Sequence, residues 1–357
     1  MGEPFQQFDG HEQVVFGRDD GSGLRAIIAI HSTRLGPSLG GTRFYPYADD
    51  TAALTDALRL SRAMAYKAAA AGLDLGGGKA VIIGDPATDK SEALLRAYGR
   101  LVESLGGRYI TACDVGTYPA DMALVARETR WATGADPVEG GSGDSGVLTA
   151  YGTFIGLQAC ASELWGSPSL GGRHVAIQGV GKVGRRLAAY VHEAGGKLSV
   201  ADTDASAVEW CAGQFGAEVV GTEKIHAVDA DIFSPNALGA VINDDTMGEL
   251  QCRVVAGAAN NQLAEPRHGE ALADAGILYA PDYVINAGGL IQVADELHPG
   301  GYSEERARAR AAGIGDRLRA VLALARSDGV TTAVAADRFA EARMAAVGGL
   351  RRFWLPS

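Results

Sequence analysis

The chain has 357 residues, enough for two domains that each bury a core of their own. Its 47% hydrophobic and 21% charged residues are the composition of a soluble globular protein, and a formal net charge of -11 argues against general nucleic-acid binding or attraction to anionic membranes. The opening "MGEPFQQFDG" has neither a basic start nor an apolar stretch, so no secretory signal is expected, and no apolar run reaches the roughly 18 residues of a membrane span.

In chain order, "LRAIIAIHS" reads as a strand and "TAALTDALRLSRAMAYKAAAAG" as a long alanine-rich amphipathic helix. "GGGKAVIIGDP" is expected to be a glycine turn that enters a short buried strand. "KSEALLRAYGRLVESLGG" has apolar residues at helical spacing and a glycine stop, and "RYITACDVG" is a strand ending on a carboxylate. The glycine-rich "VEGGSGDSG" approaches a domain boundary. From about residue 172 the rhythm changes. "RHVAIQGVGKVGRRLAAYVHEAGGKLSVADTD" is strand, glycine turn, helix and strand, and three more short apolar runs follow in "ADIFSPNALG", "RVVAGAANN" and "ILYAPDYVINAGG". Strands separated by helical segments imply a parallel, doubly wound sheet. Two helical segments close the chain, and the last is expected to pack back on the first half. The fold class is therefore α/β with two domains, at 1–148 and 149–329, followed by a returning helix at 330–357.

The four cysteines (Cys113, Cys160, Cys211, Cys252) lie far apart with no C-x-x-C pair, the pattern of reduced thiols in a cytoplasmic protein. The seven histidines show no metal-ligand spacing, so no metal site is expected. The turn "GVGKVG" supplies Gly179, Gly181 and Gly184 as G-x-G-x-x-G between a strand and a helix. In that context the first glycine makes the tight turn, the second admits a pyrophosphate, and the third lets helix pack on strand. Asp202 follows 18 residues beyond Gly184, at the end of the next strand. It can accept from a ribose 2′-hydroxyl and would repel a 2′-phosphate, which favours NAD over NADP. Lys182 inside the loop, with Arg185 and Arg186 just after it, leaves tolerance of phosphate open. A glycine turn with no ligand is the plain alternative.

"DLGGGKA" puts Lys79 behind three consecutive glycines, whose ordering cost needs an offset such as close approach to a ligand; a flexible turn with a solvated lysine is the alternative. "GPSLGGTRFY", "AMAYKAAAAGLDLGGGKAVIIGDP", "ITACDVGT", "GGSGDSGVLTAYG", "GVGKVG", "VVAGAANNQL" and "APDYVINAGGLIQVADE" fall in the order found in amino-acid dehydrogenases. The chain resembles the leucine/valine/phenylalanine branch of the glutamate dehydrogenase superfamily from about residue 25 to about residue 330. That resemblance implies reversible oxidative deamination of an L-amino acid to a 2-oxo acid, ammonia and NADH. The site is then expected in a cleft between domains that close to exclude water, and the protein is expected to be a homo-oligomer.

The resemblance also implies residue roles. Lys79 is the acid/base that activates the attacking water, and Asp114 shuttles protons to and from the amino group. Lys67 pairs with the substrate carboxylate, supported by Arg43 and Gly41. A lysine of ordinary pKa near 10.4 is a poor base at pH 7, and burial together with the second cation Lys67 is expected to lower that of Lys79. Without the resemblance Asp114 reads as a turn cap. Cofactor contacts are implied for Gly179, Val180, Gly181, Lys182, Val183 and Gly184, with Asp202, Thr203 and Ala237 beside them. Ser145 and Thr149 reach the cofactor where the chain leaves the first domain, and Asn260 and Asn286 meet substrate and nicotinamide groups.

Side-chain specificity falls on Leu39, Ala112, Leu290 and Val293. Glutamate-specific relatives carry a lysine where this chain has Leu39, so an apolar substrate is implied. Ala112 resembles the branched-chain enzymes, and Leu290 is bulkier than the valine common in leucine dehydrogenases, which shortens the pocket. L-Valine is favoured, with leucine and isoleucine accepted. Phenylalanine dehydrogenase is the alternative, followed by a non-catalytic NAD-binding sensor, against which Lys67, Lys79 and Asp114 together speak. The tail "RRFWLPS" is a candidate determinant of oligomeric state.

Overall fold

A computed structural model describes residue 8 and residues 10–349 of the chain, so the "RRFWLPS" tail lies outside the described residues. The chain divides into two compact units. The first comprises residues up to Gly143, Gln292–Glu304 and the chain from Ala340 onward, and the second comprises Asp144–Ile291 and Glu305–Phe339. The return of Gln292–Glu304 to the first unit is not anticipated by the sequence.

The first unit is built from β1 (Gln13–Asp19), β2 (Leu24–Ser32), β3 (Ser38–Tyr45), α1 (Asp50–Ala70), β4 (Gly76–Ile83), α2 (Glu92–Glu103), β5 (Tyr109–Cys113) and α3 (Pro119–Val125). Its sheet runs β1-β2-β4-β3-β5, antiparallel across β1, β2 and β4 and parallel across β4, β3 and β5. Strand residues alternate between faces. Ile27, Ala29 and Val81 meet Ala53, Ala57 and Leu58 of α1 on one face, while Ile28, Ile30 and Ile82 meet Leu94, Leu95 and Tyr98 of α2 on the other. The Asp49 side chain caps α1 by accepting from Ala52 N at 2.8 Å, and Ser91 caps α2 by accepting from Leu94 N at 3.2 Å.

Two differences from the sequence expectation matter for the site. β3 was not among the expected strands, because Gly40 and Gly41 in its middle are poor strand formers. The run Gly76–Gly78, expected as a turn, is the first part of β4. A Cβ on Gly77 would come within 2.1 Å of the Ala65 backbone on α1, and one on Gly76 within 1.9 Å of the Ser32 carbonyl. On Gly78 it would lie 2.6 Å from the Tyr109 ring. The bare backbone therefore lets α1 and its neighbours lie directly on the strand. At these three positions protein atoms occupy the space that the sequence suggests for a substrate.

The second unit begins with α4 (Gly146–Trp165), a mostly apolar helix that the sequence pattern does not announce. It continues through β6 (His174–Gln178), α5 (Lys182–Glu193), β7 (Lys197–Ala201), α6 (Ala205–Phe215), β8 (Glu218–Val219), β9 (Ile232–Pro235), α7 (Asp244–Met247), β10 (Val254–Val255), α8 (Arg267–Asp274) and β11 (Leu278–Tyr279). The six strands are all parallel, in the order β11-β10-β9-β6-β7-β8. Counted from β6 this is the Rossmann order, with its direction of winding reversing between β6 and β9. The chain then runs through α9 (Asp282–Ile285), α10 (Gly288–Asp295), α11 (Glu304–Ala312), α12 (Ile314–Asp328) and α13 (Thr332–Gly348). The last turns of α13 belong to the first unit: Tyr66 Oη donates to Glu341 at 2.7 Å and Arg343 pairs with Asp74 at 2.8 Å.

Candidate active site

In the first unit the parallel registers bring the predicted residues onto one face of the sheet. Gly41 on β3 stands opposite Ala112 on β5, and Leu39 stands opposite Gly77 on β4 and Ile110 on β5. With a two-residue alternation, Leu39, Gly41 and Arg43 share the face of Lys79, Ala112 and Asp114. It is the face that α1 covers. Lys67 lies on the last turn of α1, two residues beyond the Ala65 backbone that rests on Gly77.

Lys79 is buried, with 7% of its side chain exposed, and its Nζ lies 2.8 Å from Asp114 Oδ2. The same oxygen accepts from Arg43 Nε at 3.0 Å. Burial alone would raise the Asp114 carboxyl, but Lys79 and Arg43 outweigh it and hold the group below its ordinary value. Asp114 is thus an anion held by two cations. Its backbone is fixed in turn, since Asp114 N donates to Thr117 Oγ1 at 2.9 Å and that hydroxyl donates to Thr42 O at 2.7 Å. Gly41 completes the fit, because a Cβ there would sit 2.9 Å from Asp114 Cβ and 2.4 Å from Cys113 O. Burial pushes the neighbouring Cys113 thiol up to about 12, so it stays protonated.

Arg43 reaches a second carboxylate as well. Its Nη1 lies 2.8 Å from Asp56 Oδ2, which also accepts from Tyr47 Oη at 2.7 Å. Asp56, on α1, and Tyr47 carry no sequence signal that singles them out. Their part appears only when α1 is laid on the sheet. Arg43 therefore touches the chain's own carboxylates, bridging Asp114 to α1. Of the predicted specificity residues, Leu39, Ala112 and Leu290 are buried and Val293 is half-buried. Leu39, Ala112 and Val293 belong to the first unit and Leu290 to the second.

In the second unit the three loop glycines differ in what surrounds them. Gly179 has φ +88, and a Cβ there would lie 2.8 Å from Ala237 Cβ, across the point where the sheet winding reverses. A Cβ on Gly184 would be 1.9 Å from Gly179 O, so this glycine lets α5 pack on the turn. Gly181 is different: a Cβ there meets nothing within 4 Å. The space above Gly181 is open, as an approaching pyrophosphate requires. Val180 and Lys182 flank it, and Val183 lies in the first turn of α5.

Asp202 Oδ2 accepts from Val180 N at 2.7 Å, so the acid expected to read ribose also braces the glycine loop. Its Oδ1 accepts from Asp204 N at 3.0 Å and from Thr203 Oγ1 at 3.4 Å. Arg185 and Arg186 are engaged within the protein. Arg185 Nε donates to Val180 O at 3.0 Å, and Arg186 pairs with Asp144 at 2.9 Å.

Ser145 stands at the start of α4, where its carbonyl accepts from Thr149 Oγ1 at 2.9 Å. Gly289 lies so close that a Cβ would be 2.6 Å from that hydroxyl. Asn286 Nδ2 donates to Asn260 Oδ1 at 2.9 Å and to Ala258 O at 3.1 Å. Its buried Oδ1 has no hydrogen-bond partner among the described residues, a vacant acceptor of the sort a carboxamide N–H would satisfy. Asn236 joins this group without having been predicted. Its N–H donates to Gln178 O at 2.6 Å and its Oδ1 accepts from Ala258 N at 2.9 Å, lacing together the ends of β6, β9 and β10. The signal was present in the amide that ends the "ADIFSPN" run. The open glycine loop, the flanking acid and the vacant amide acceptor all fit a dinucleotide.

Comparison with known proteins follows the same division. A family model described as Glu/Leu/Phe/Val dehydrogenase, dimerisation domain, matches residues 11–131, and one described as glutamate/leucine/phenylalanine/valine dehydrogenase matches residues 201–338. Valine dehydrogenase of Streptomyces coelicolor is 56% identical over 339 residues, covering 94% of this chain and 93% of that protein. Leucine dehydrogenase of Geobacillus stearothermophilus is 54% identical over 334 residues, covering 94% and 90%. The crystal structure of L-tryptophan dehydrogenase from Nostoc punctiforme superposes with a TM-score of 0.84 at 45% identity, covering 96% of this chain and 98% of that one.

Proposed function

The chain belongs to the glutamate/leucine/phenylalanine/valine dehydrogenase family, and from that premise we propose that it catalyses NAD-dependent, reversible oxidative deamination of a branched-chain L-amino acid. L-Valine is the leading substrate and leucine and isoleucine are accepted; the products are the 2-oxo acid, ammonia and NADH. The observation that carries this reading is the buried Lys79–Asp114 pair at 2.8 Å, an acid/base couple on a face that the apolar Leu39 and Ala112 share.

Lys67 binds the substrate carboxylate. Asp114, whose Oδ2 is taken by Lys79 and Arg43, offers Oδ1 to the substrate amino group and accepts its proton. Arg43 keeps that carboxylate ionised and in place, and Asp56 and Tyr47 hold Arg43. NAD held at the glycine loop would supply the acceptor for the hydride of the substrate Cα. Lys79, once its own proton has passed to solvent, takes one from the water that adds to the imino carbon. Asp114 returns its proton to the amino group, and ammonia departs as the adduct's hydroxyl loses its proton and becomes the 2-oxo group. For the cofactor, Gly181 admits the pyrophosphate, Asp202 accepts from the ribose, and Asn286 Oδ1 accepts from the carboxamide. The dimerisation label of the N-terminal family model supports a homo-oligomeric enzyme.

An aromatic L-amino acid is the second reading, supported by the 45% identity to the L-tryptophan dehydrogenase. NADH absorbance on adding each L-amino acid with NAD or NADP, expressed as relative kcat/KM, tests both. The expected order is valine first, then leucine and isoleucine. An order led by phenylalanine or tryptophan would replace the first reading with the second, and no NADH from any amino acid would reject both.

A further inference from the structure

Gly134–Ser142 forms a loop whose ends are buried and whose tip, from Asp136 to Gly140, is exposed. Both ends of its neck are held by one side chain. Glu296 Oε2 accepts from Gly134 N at 2.9 Å, and Oε1 accepts from Ser142 N at 2.8 Å and Ser142 Oγ at 2.5 Å. Gln292, one helical turn earlier, donates from Nε2 to Ser142 O at 2.7 Å. Within the neck, Gly141 packs so tightly that a Cβ would fall 1.9 Å from Ala135 O. The neck also abuts the specificity face. Cys113 Sγ donates to Gly134 O at 3.5 Å, and a Cβ on Gly134 would lie 4.0 Å from Ala112 Cβ. Gln292 and Glu296 bracket Val293, and all of these residues lie in the first unit.

We propose that Glu296 is a positioning residue for substrate specificity. By tying both ends of the Gly134–Ser142 loop to the segment that carries Val293, it holds the wall at Ala112 and Gly134 at a fixed distance from Val293 and so sets how large a substrate side chain fits. The inference rests on the amino-acid dehydrogenase reading of the site. A carboxylate suits the task because it accepts at both oxygens, and each end of the neck presents a backbone N–H to it. An amide accepts at one position only. Glu296→Gln keeps the shape of the side chain but can accept from the backbone N–H at only one end of the neck, which leaves the other held by at most the Ser142 hydroxyl.

The test uses the full-length enzyme with L-valine, L-leucine and L-phenylalanine as substrates and NAD as cofactor. For Glu296→Gln the kcat/KM ratio of phenylalanine to valine should rise on the order of tenfold, with the loss for valine falling on KM more than on kcat. Ser142→Ala, which removes one of the three donors, should shift the ratio the same way by a smaller factor. Cleavage by a glutamate-specific endoprotease at Glu139, on the exposed tip, should quicken in Glu296→Gln, and this readout does not depend on turnover. Equal losses for all three amino acids, or an unchanged ratio despite faster cleavage, would overturn the proposal, as would unchanged cleavage. A wild-type enzyme that oxidises none of the three would instead remove the functional reading, while the cleavage rates still report on the clamp.

Discussion

Replacing Asp114 by Asn removes one charge from the most interdependent group in the first unit. Lys79, with 7% of its side chain exposed and Asp114 2.8 Å away, loses that carboxylate, while Arg43 keeps Asp56 at 2.8 Å. Breaking a buried ion pair by removing one partner costs about 3–5 kcal/mol. Asp114 is 24% exposed and Arg43 retains a partner, so the lower end applies, about 3 kcal/mol. For a unit of this size that lowers the unfolding transition of the first unit by roughly 6–12 °C. The pH dependence follows from the carboxyl being held below its ordinary value. Its stabilisation is complete above the unfolded-state value of about 3.9 and is lost as pH falls through the folded value. The gap between wild type and Asp114→Asn should therefore be full at pH 7 and narrow below about pH 4. Thermal unfolding across that range measures it, and amino-acid turnover at pH 7 should fall at least about a hundredfold. A transition within about 2 °C of wild type, or turnover above about a tenth, would refute the pairing as the centre of the site.

Lys79→Ala should abolish turnover while NADH binding, measured by fluorescence titration, stays at the wild-type affinity; residual activity above about a tenth removes Lys79 from the chemistry. Gly184→Ala should fold poorly, because its Cβ would lie 1.9 Å from Gly179 O, whereas Gly181→Ala should unfold at the wild-type temperature and bind NADH at least about tenfold more weakly. Equal NADH affinity in Gly181→Ala would mean that no ligand comes near that position. Asp202→Ala should narrow the preference for NAD over NADP and also weaken both cofactors, since Val180 N loses its acceptor. A ratio of kcat/KM for the two cofactors that does not move would place the ribose-reading acid elsewhere.

The second unit was the more legible from sequence, for a physical reason. Strands β6, β7, β9 and β10 are short, largely buried apolar runs separated by helices, so a parallel, doubly wound sheet follows from the pattern, and the glycine spacing marks the first turn. The first unit hides its architecture in small residues. Gly40, Gly41 and Gly76–Gly78 break every strand signal, yet they lie in β3 and β4, because close backbone packing between strands and α1 outweighs intrinsic propensity there. Lys79 and Asp114 could be found as motif residues; they meet because Lys79 on β4 and Asp114 just past β5 share one face, with β3 and its bare Gly41 between them. The support behind them was not legible. Glu296 acts across 154 to 162 residues, and an ordinary Asp on a helix or Glu near a helix end looks the same in sequence whether it meets solvent or, as Asp56 and Glu296 do, an arginine or backbone N–H groups.

The glycines also separate two physical questions that a sequence merges. A glycine is required either because the protein's own atoms crowd it or because a ligand must come close. At Gly77 the Ala65 backbone already fills the space of a side chain, and at Gly41 the Cys113 carbonyl does. Those positions would be intolerant of substitution in an enzyme emptied of substrate, and their loss would register as lost stability. Around Gly181 nothing lies within 4 Å, so the protein alone gives no reason for a glycine there. The proposed cofactor would supply one, by bringing its pyrophosphate against the bare backbone. The three glycines before Lys79 thus belong to packing. Gly76 and Gly78 admit Ser32 and Tyr109, and Gly77 seats α1, which carries Lys67 and Asp56, directly on the sheet, where Asp56 reaches Arg43 and, through it, Asp114.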